Sequence, residues 1–143
     1  MKRLIILAVI VVLAYGTLQQ QGFSPSIPVS TSNENHLLED AQARRLSDIQ
    51  LTGQGIVVKV LRDDLEGSRH QRFILDIGSG KTVLVSHNID LAPRVENILE
   101  GDSVAFAGEY EWNSKGGVVH WTHHDPAGRH PGGWIKHKGR TYQ

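Results

Sequence analysis

Hydrophobic and polar residues form five strand-like segments between residue 53 and residue 123. In some segments apolar side chains occupy every second position, as in a strand with one buried face, and in others β-branched residues form a continuous run. Gly, Asp and Asn residues separate the segments. The pattern predicts strands over residues 53–61, 70–77, 81–87, 102–112 and 118–123.

Two short helices are predicted around these strands. The first begins near Asn33 and precedes strand one. Its apolar residues recur at a helical spacing, at Leu38, Ala41, Leu46 and Ile49. The second covers residues 92–101, between strands three and four, because Pro93 occupies a first-turn position and Gly101 follows the last turn.

The order of these elements predicts a mainly β domain over residues 36–143. Three strands, a short helix and two further strands follow the order of a five-stranded OB barrel. A small open sheet with a packed helix is the alternative. Closure into a barrel is favoured because it removes exposed strand edges.

The N-terminus has the layout of an export signal. Lys2 and Arg3 precede an apolar run, residues 4–14, that is shorter than the roughly 20 residues needed to span a bilayer comfortably. The sequence predicts either a signal peptide cleaved after Gly16 or an uncleaved inner-membrane anchor over residues 4–15. Residues 17–35, rich in Gln, Ser, Pro and Asn, predict a flexible linker. The expected location is the periplasm or the outer face of the inner membrane.

Composition narrows the function classes. The chain has no cysteine, which excludes disulfides and a lipoprotein anchor. Its 15 basic and 15 acidic residues balance, which argues against a broad surface for duplex DNA. Five of the eight histidines and four basic residues lie between residues 118 and 143, together with one acid, Asp125. This segment is the one local patch expected to attract anions.

The same C-terminal segment concentrates residues that bind ligands. The candidates are His120, Trp121, His124, Asp125, Arg129, His130 and Trp134. If alternation continues through the last strand, Val119, Trp121 and His123 face the interior, and His120, Thr122 and His124 face the other side. A bend at Asp125-Pro126 would then bring His124, Asp125 and His130 together, with His120 or His87 completing the set.

Three interpretations of this segment remain open. In the first, His120, His124, Asp125 and His130 bind a transition metal, zinc being the expected cofactor. In the second, the indoles, Arg129 and the imidazoles bind an anionic or ring-bearing ligand, such as a saccharide or single-stranded nucleic acid. In the third, the segment is purely structural. No catalytic residue is assigned, and the alternating Glu109 and Glu111 are interpreted as a solvated strand face.

The last half of the chain resembles a bacterial family of small exported proteins of unknown function marked by a His-Trp-Thr-His signature. The matching pieces lie between Arg69 and Gln143: HQRF at 70–73, SHNIDLA at 86–92, GEYEWN at 108–113, HWTHHDP at 120–126, GRH at 128–130, GGWI at 132–135 and the closing YQ. The resemblance implies an OB-like fold and no established activity, and it supplies no catalytic residues.

Taken together, the sequence predicts an exported, non-enzymatic OB-fold binding module whose ligand is not identified. The alternative is a zinc-dependent hydrolase or nuclease that uses the C-terminal His and Asp residues. Removal of the metal should abolish the activity of the hydrolase, whereas a binding module should keep its ligand in chelator.

Overall fold

A computed structural model of the protein describes residues 35–143. The elements are one helix, α1 (His36–Arg44), and seven strands, β1 (Ile49–Val60), β2 (His70–Gly78), β3 (Lys81–Asn88), β4 (Ser103–Glu111), β5 (Val118–His120), β6 (Trp134–His137) and β7 (Arg140–Tyr142). The predicted export segment and the predicted linker up to residue 34 lie outside the described residues. Among residues 35–143, no helix is both long and apolar enough to cross a bilayer.

The first five strands close into a barrel, as predicted. β1 pairs antiparallel with both β2 and β4, so it joins the two ends of the sheet. β2 pairs antiparallel with β3, β3 pairs in parallel with β5, and β5 pairs antiparallel with β4. The mainly β class and the five-stranded barrel are therefore confirmed.

The barrel interior is filled by the apolar faces of these strands. Phe73, Val85, Phe106, Tyr110 and Val119 are all completely buried. The buried residues Leu38 and Ala41 of α1 belong to the same apolar cluster. Helix α1 thus covers part of the barrel, and apolar burial of this kind is the main term that stabilises a domain without disulfides.

The predicted helix between strands three and four is wrong. Residues 92–101 form turns, and the buried side chain of Gln71 on β2 holds their backbone. Gln71 Nε2 donates to the Val95 carbonyl at 3.0 Å, and its Oε1 accepts from the Val95 amide at 2.9 Å. The bond to the Val95 carbonyl takes an acceptor that a helix would pair with an amide four residues later. Asn97, with φ of 50°, also leaves the right-handed helical region.

Strands β6 and β7 were not predicted as strands. β6 pairs with residues 104–107 of β4, next to the stretch of β4 that pairs with β5. His137 of β6 is almost completely buried, and its Nε2 donates to Asp102 Oδ2 at 2.8 Å. That hydrogen bond is the main cause that lowers the pKa of Asp102 to about 2. The hairpin returns the C-terminal segment to the barrel wall.

Candidate functional site

Two neighbouring strands place a carboxylate pair and an imidazole on one outer face of the barrel. Glu109 and Glu111 alternate along β4, and His120 at the end of β5 lies directly opposite Glu109. Side chains of directly opposed residues on one sheet face are close enough to interact. The register of the two strands therefore brings together residues that lie 9 and 11 positions apart in sequence.

Gly108 lets this part of the chain approach β4 closely. A Cβ atom at Gly108 would meet Val119 Cγ1 at 2.8 Å, Thr122 Cγ2 at 2.9 Å and the His120 carbonyl oxygen. Such distances are shorter than carbon contacts in packed interiors, so a side chain would force the segment away. Glycine at this position therefore lets the segment from Val119 to Thr122 lie close against β4.

His130 completes what we call the Glu–His cluster, which consists of Glu109, Glu111, His120 and His130. His120 Nε2 lies 3.4 Å from Glu109 Oε1 and 4.0 Å from Glu111 Oε1. His130 Nδ1 lies 3.4 Å from Glu109 Oε2, so each oxygen of this carboxylate faces an imidazole. Ligand atoms of Glu109, Glu111 and His120 all lie within 4.8 Å of one another.

The Nε2 atom of His120 is buried and has no hydrogen-bond partner within residues 35–143. Its 3.4 Å separation from Glu109 Oε1 exceeds the 2.7–2.9 Å typical of a charge-assisted hydrogen bond. Leaving a buried polar nitrogen unpaired costs roughly 1–3 kcal/mol. The other described atom with this property is Gln54 Nε2. This nitrogen therefore lies within 4.0 Å of two carboxylates without a hydrogen bond to either.

A loop between β5 and β6 supplies His130, and Asp125 shapes that loop. The Asp125 carboxylate accepts hydrogen bonds from the backbone amides of Ala127, Arg129 and His130 at 2.9, 2.6 and 2.9 Å. The hydrogen bond from the Ala127 amide is the main cause that lowers the pKa of Asp125 below its usual range, and the bonds from Arg129 and His130 lower it further. The carboxylate is therefore ionised and committed to the loop backbone at neutral pH.

Trp121 stacks on His130 and fixes the plane of the ring. The two ring centroids are 3.9 Å apart with an interplanar angle of 11°. Trp121 adopts a φ of 53°, a left-handed conformation that costs a bulky residue roughly 1–3 kcal/mol. The strained backbone turns the indole out of the strand direction and over His130.

The left-handed residue also ends the predicted strand alternation. Val119 and Thr122 are completely buried, and His123 is nearly so, whereas Trp121 is partly exposed. The prediction that Trp121 points into the barrel beside Val119 is therefore wrong. β5 stops at His120, and the left-handed turn at Trp121 puts Thr122 where alternation would have put Trp121.

Thr122 and His123 are buried, and both form hydrogen bonds inside the domain. His87 is completely buried, and its Nε2 donates to the Pro93 carbonyl at 3.1 Å. Because a carbonyl can only accept, Nδ1 is unprotonated and accepts from Thr122 Oγ1 at 2.8 Å. His123 Nδ1 donates to the His124 carbonyl at 2.6 Å. Burial is the main cause that lowers the pKa of His87 to about 4, so this ring is neutral.

A protein-family model matches the whole described domain and a short stretch of sequence before it. The family described as "Protein of unknown function (DUF3465)" matches residues 22–143. The chain belongs to this family. The match extends beyond the Arg69–Gln143 segment on which the sequence-based resemblance rested, and it agrees that the family has no established function. No curated protein matches the chain.

In this DUF3465 member, the predicted ligand-binding residues are divided among several places. His120, Trp121 and His130 are brought together at the cluster. His124 and Arg129 are exposed, and the His124 ring lies next to Gly132. Trp134 lies on β6, with the Lys136 ammonium group 4.4 Å from its ring centroid.

Of the four predicted metal ligands, His120 and His130 contact Glu109, whereas Asp125 bonds the loop backbone and His124 lies at the surface. Sequence reasoning assigned no site role to Glu109 and Glu111. The available signal was their alternation on the strand preceding the His-rich segment. It was not decisive, because alternating carboxylates are common on solvated strands.

A cleft of about 460 Å³ adjoins the cluster on the side of His120. We call it the imidazole cleft. Its walls include the rings of His70, His120, Trp121 and His123, and Asn88 lies at the end of β3 beside it. Small-molecule sites commonly have this size and a few polar groups of this kind.

Proposed function

We propose that the domain is a non-enzymatic binding module whose ligand is a divalent transition-metal ion. Glu109, Glu111 and His120 supply the ligand atoms, and His130, which contacts the other oxygen of Glu109, orients that carboxylate. The observation that carries the proposal is the buried Nε2 of His120, which has no partner in the described chain and lies beside two carboxylates. A bound cation would satisfy this nitrogen and neutralise the carboxylates.

The separations within the cluster support a metal more than an ordinary hydrogen-bonded cluster. Two ligand atoms that each lie about 2.1 Å from one tetrahedral zinc ion are about 3.4 Å apart. His120 Nε2 and Glu109 Oε1 are 3.4 Å apart, and the Glu111 oxygen needs to move only slightly from its 4.0 Å separation. A mixed set of imidazole and carboxylate groups suits zinc among the divalent metals.

The surroundings of His130 support the same assignment. Substituting a group that orients a metal ligand can weaken metal binding nearly as much as substituting some of the ligands themselves. The indole of Trp121 fixes the His130 ring, and the Asp125 carboxylate fixes the His130 backbone. Because neither contact uses the ring nitrogens, Nδ1 of His130 stays directed at Glu109.

Calorimetric titration of zinc into the full-length, untagged protein tests the proposal. We expect one ion per chain. Glu109→Gln, which keeps the size of the side chain and removes its charge, should weaken binding at least about 100-fold, since a residue that binds the metal directly matters at least as much as the groups that orient it. Glu66→Gln is the matched control, because Glu66 is exposed and lies outside the cluster.

Equal zinc affinity in the parent and in Glu109→Gln would contradict the proposal. So would binding of zinc that Glu66→Gln weakens as strongly as Glu109→Gln does, because that result would indicate non-specific association with surface carboxylates. Both variants replace partly or fully exposed groups, and matching thermal midpoints of the metal-free forms will show that their folds are intact.

A metal-dependent hydrolase is the second candidate, and the imidazole cleft favours it. A metal held by His120 would lie beside a space of substrate size, where it could lower the pKa of a bound water. Zinc-loaded protein should then cleave an activated phosphodiester, and His120→Ala or a chelator should abolish the cleavage. Zinc binding without such cleavage by the parent would leave the binding module as the function.

Two further proposals concern fold type and location. We infer an OB-like barrel, supported by the strand order β1-β2-β3-β5-β4 with closure back to β1 and by the parallel β3–β5 pair. We also propose export to the periplasm, with residues 1–16 as signal or residues 4–15 as anchor. The basic residues Lys2 and Arg3 before an apolar run support this.

A further inference from the structure

A second concave surface lies at the end of β3 opposite the imidazole cleft. We call it the basic hollow. It has a volume of about 490 Å³ and lies between the end of α1, the β2–β3 hairpin and the β4–β5 turn. Lys81 and Thr82 at the start of β3 line it, whereas Asn88 at the other end of β3 lines the imidazole cleft. Its ligand would therefore be independent of the proposed metal ion.

Every charged residue that lines the basic hollow is a cation. These residues are Arg45, Lys81 and Lys115. Within residues 35–143 neither Arg45 nor Lys115 forms an ion pair, and Lys81 has only a 3.8 Å contact with Glu39. Many other arginines of the described chain are paired, as Arg94 is with Asp63. In a chain with no net charge, three cations around one hollow create a local anion-attracting site.

The walls of the basic hollow are held by hydrogen bonds. Gln42 Nε2 donates to the carbonyls of Thr82 and Gly116, at 2.9 and 2.8 Å, and so ties the hairpin to the β4–β5 turn. Asn113 Oδ1 accepts from the Lys115 and Gly117 amides at 2.9 and 3.0 Å. A pre-formed hollow reduces the ordering cost that a ligand must overcome.

The basic hollow also offers an aromatic ring, and an adjacent space offers an apolar floor. Trp112 lines it, with the Arg45 guanidinium 5.3 Å from the ring centroid. A neighbouring space of about 250 Å³ shares Thr82, Asn113 and Lys115 with it. That space has an apolar floor made by Leu61, Ile74 and Leu84. Cations beside an indole and an apolar floor suit a ligand that carries both a negative group and a flat ring.

We propose that the basic hollow binds a nucleotide unit. The phosphate contacts Arg45, Lys81 and Lys115, and the base lies against Trp112 or the apolar floor. Arginine and lysine are the usual phosphate ligands, and bases of any sequence stack on an indole. The unit can belong to a free mononucleotide or to a single-stranded oligonucleotide, because both present the same phosphate and ring.

Binding measurements with four probes separate the parts of this proposal. Calorimetry on the metal-free, full-length protein compares thymidine monophosphate, a short oligothymidylate, uncharged thymidine and inorganic phosphate. We expect at least one of the first two to bind, more weakly as salt is raised, and the last two to bind at least tenfold more weakly. Binding by the oligomer alone would place the unit within a strand.

Two exposed cations provide the decisive variants. Arg45→Gln combined with Lys115→Gln should weaken binding of the bound probe at least tenfold. Lys59→Gln, an exposed cation on β1 away from the basic hollow, should leave it unchanged. No binding of either nucleotide probe, unchanged affinity in the double variant, or phosphate binding as tight as that of thymidine monophosphate would overturn the proposal. Because zinc is absent, these results do not depend on the metal site.

Discussion

His87 and His120 occupy contrasting environments within one barrel. Both ring nitrogens of His87 are hydrogen-bonded in the interior, to Thr122 and to the Pro93 carbonyl. His120 presents a buried Nε2 with no partner in the described chain to two carboxylates. The hydrogen bonds of His87 give it a structural role, whereas the Nε2 of His120 lacks a partner that a bound ion would supply.

The buried state of His87 predicts a specific pH dependence. Its pKa is about 4 in the folded chain against about 6.5 in an unfolded chain, so between these values the unfolded state binds more protons. The free energy of unfolding therefore falls as the pH is lowered through this window, by about 3 kcal/mol from this residue. In His87→Gln that contribution should be missing.

Urea denaturation at several pH values between 4 and 7 measures the effect. The control is His36→Gln, which removes an exposed histidine at the start of α1. The control should keep the parent's slope of stability against pH. A slope in His87→Gln that matches the parent's would show that the buried ring does not titrate as described.

At the residue level, the sequence supported His120 and His130 as site residues but not Glu109 and Glu111. Clustering of histidines is visible in a sequence. The pairing of Glu109 with His120 depends on the register between β4 and β5, and no local pattern encodes that register. The left-handed conformation of Trp121 was equally invisible, because tryptophan has no preference for a positive φ.

At the level of elements, the strands of the barrel were predictable because their alternation and β-branched residues are strong local signals. The helix over residues 92–101 was wrong because the competing bonds come from Gln71, which is distant in sequence. β6 and β7 have only four and three residues, so their patterns are too short to recognise. The elements that were predicted wrongly or missed are therefore those whose structure depends on tertiary contacts.

Gly133, which precedes β6, lies where the loop after β5 packs closely against β4. A Cβ at this position would meet the carbonyl oxygens of Trp121 and Ala107, and Thr122 Cα at 2.8 Å. Gly133→Ala should therefore reduce the free energy of unfolding by at least about 2 kcal/mol, since overpacking at rigid backbone is not easily relieved. The loop with Trp121 would have to move away from β4.

The neighbouring glycine is the matched control for this prediction. A Cβ at Gly132 meets only the exposed His124 ring, at 3.3 Å, and that side chain can move. Equilibrium urea denaturation should give Gly132→Ala nearly the parent's stability. Equal stability of Gly133→Ala and the parent would contradict the packing described at this crossing.

At the level of the whole molecule, one closed barrel carries two surfaces of opposite charge preference. The Glu–His cluster lies on the outer face of β4 and β5 and suits a cation. The basic hollow lies at the start of β3 and suits an anion. The sequence offered a metal site and an anion site as competing interpretations of one C-terminal segment, and it did not indicate the basic hollow. The hollow forms because the folded barrel brings α1 and the β2–β3 hairpin beside the β4–β5 turn.

The metal content of the purified protein decides whether the Glu–His cluster holds an ion. The full-length, untagged protein is purified without chelator, together with His120→Ala and His124→Ala, and analysed for transition metals. We expect one zinc or similar ion per chain in the parent and in His124→Ala, and none in His120→Ala. A parent without metal, or a metal that is lost in His124→Ala and retained in His120→Ala, would contradict this expectation.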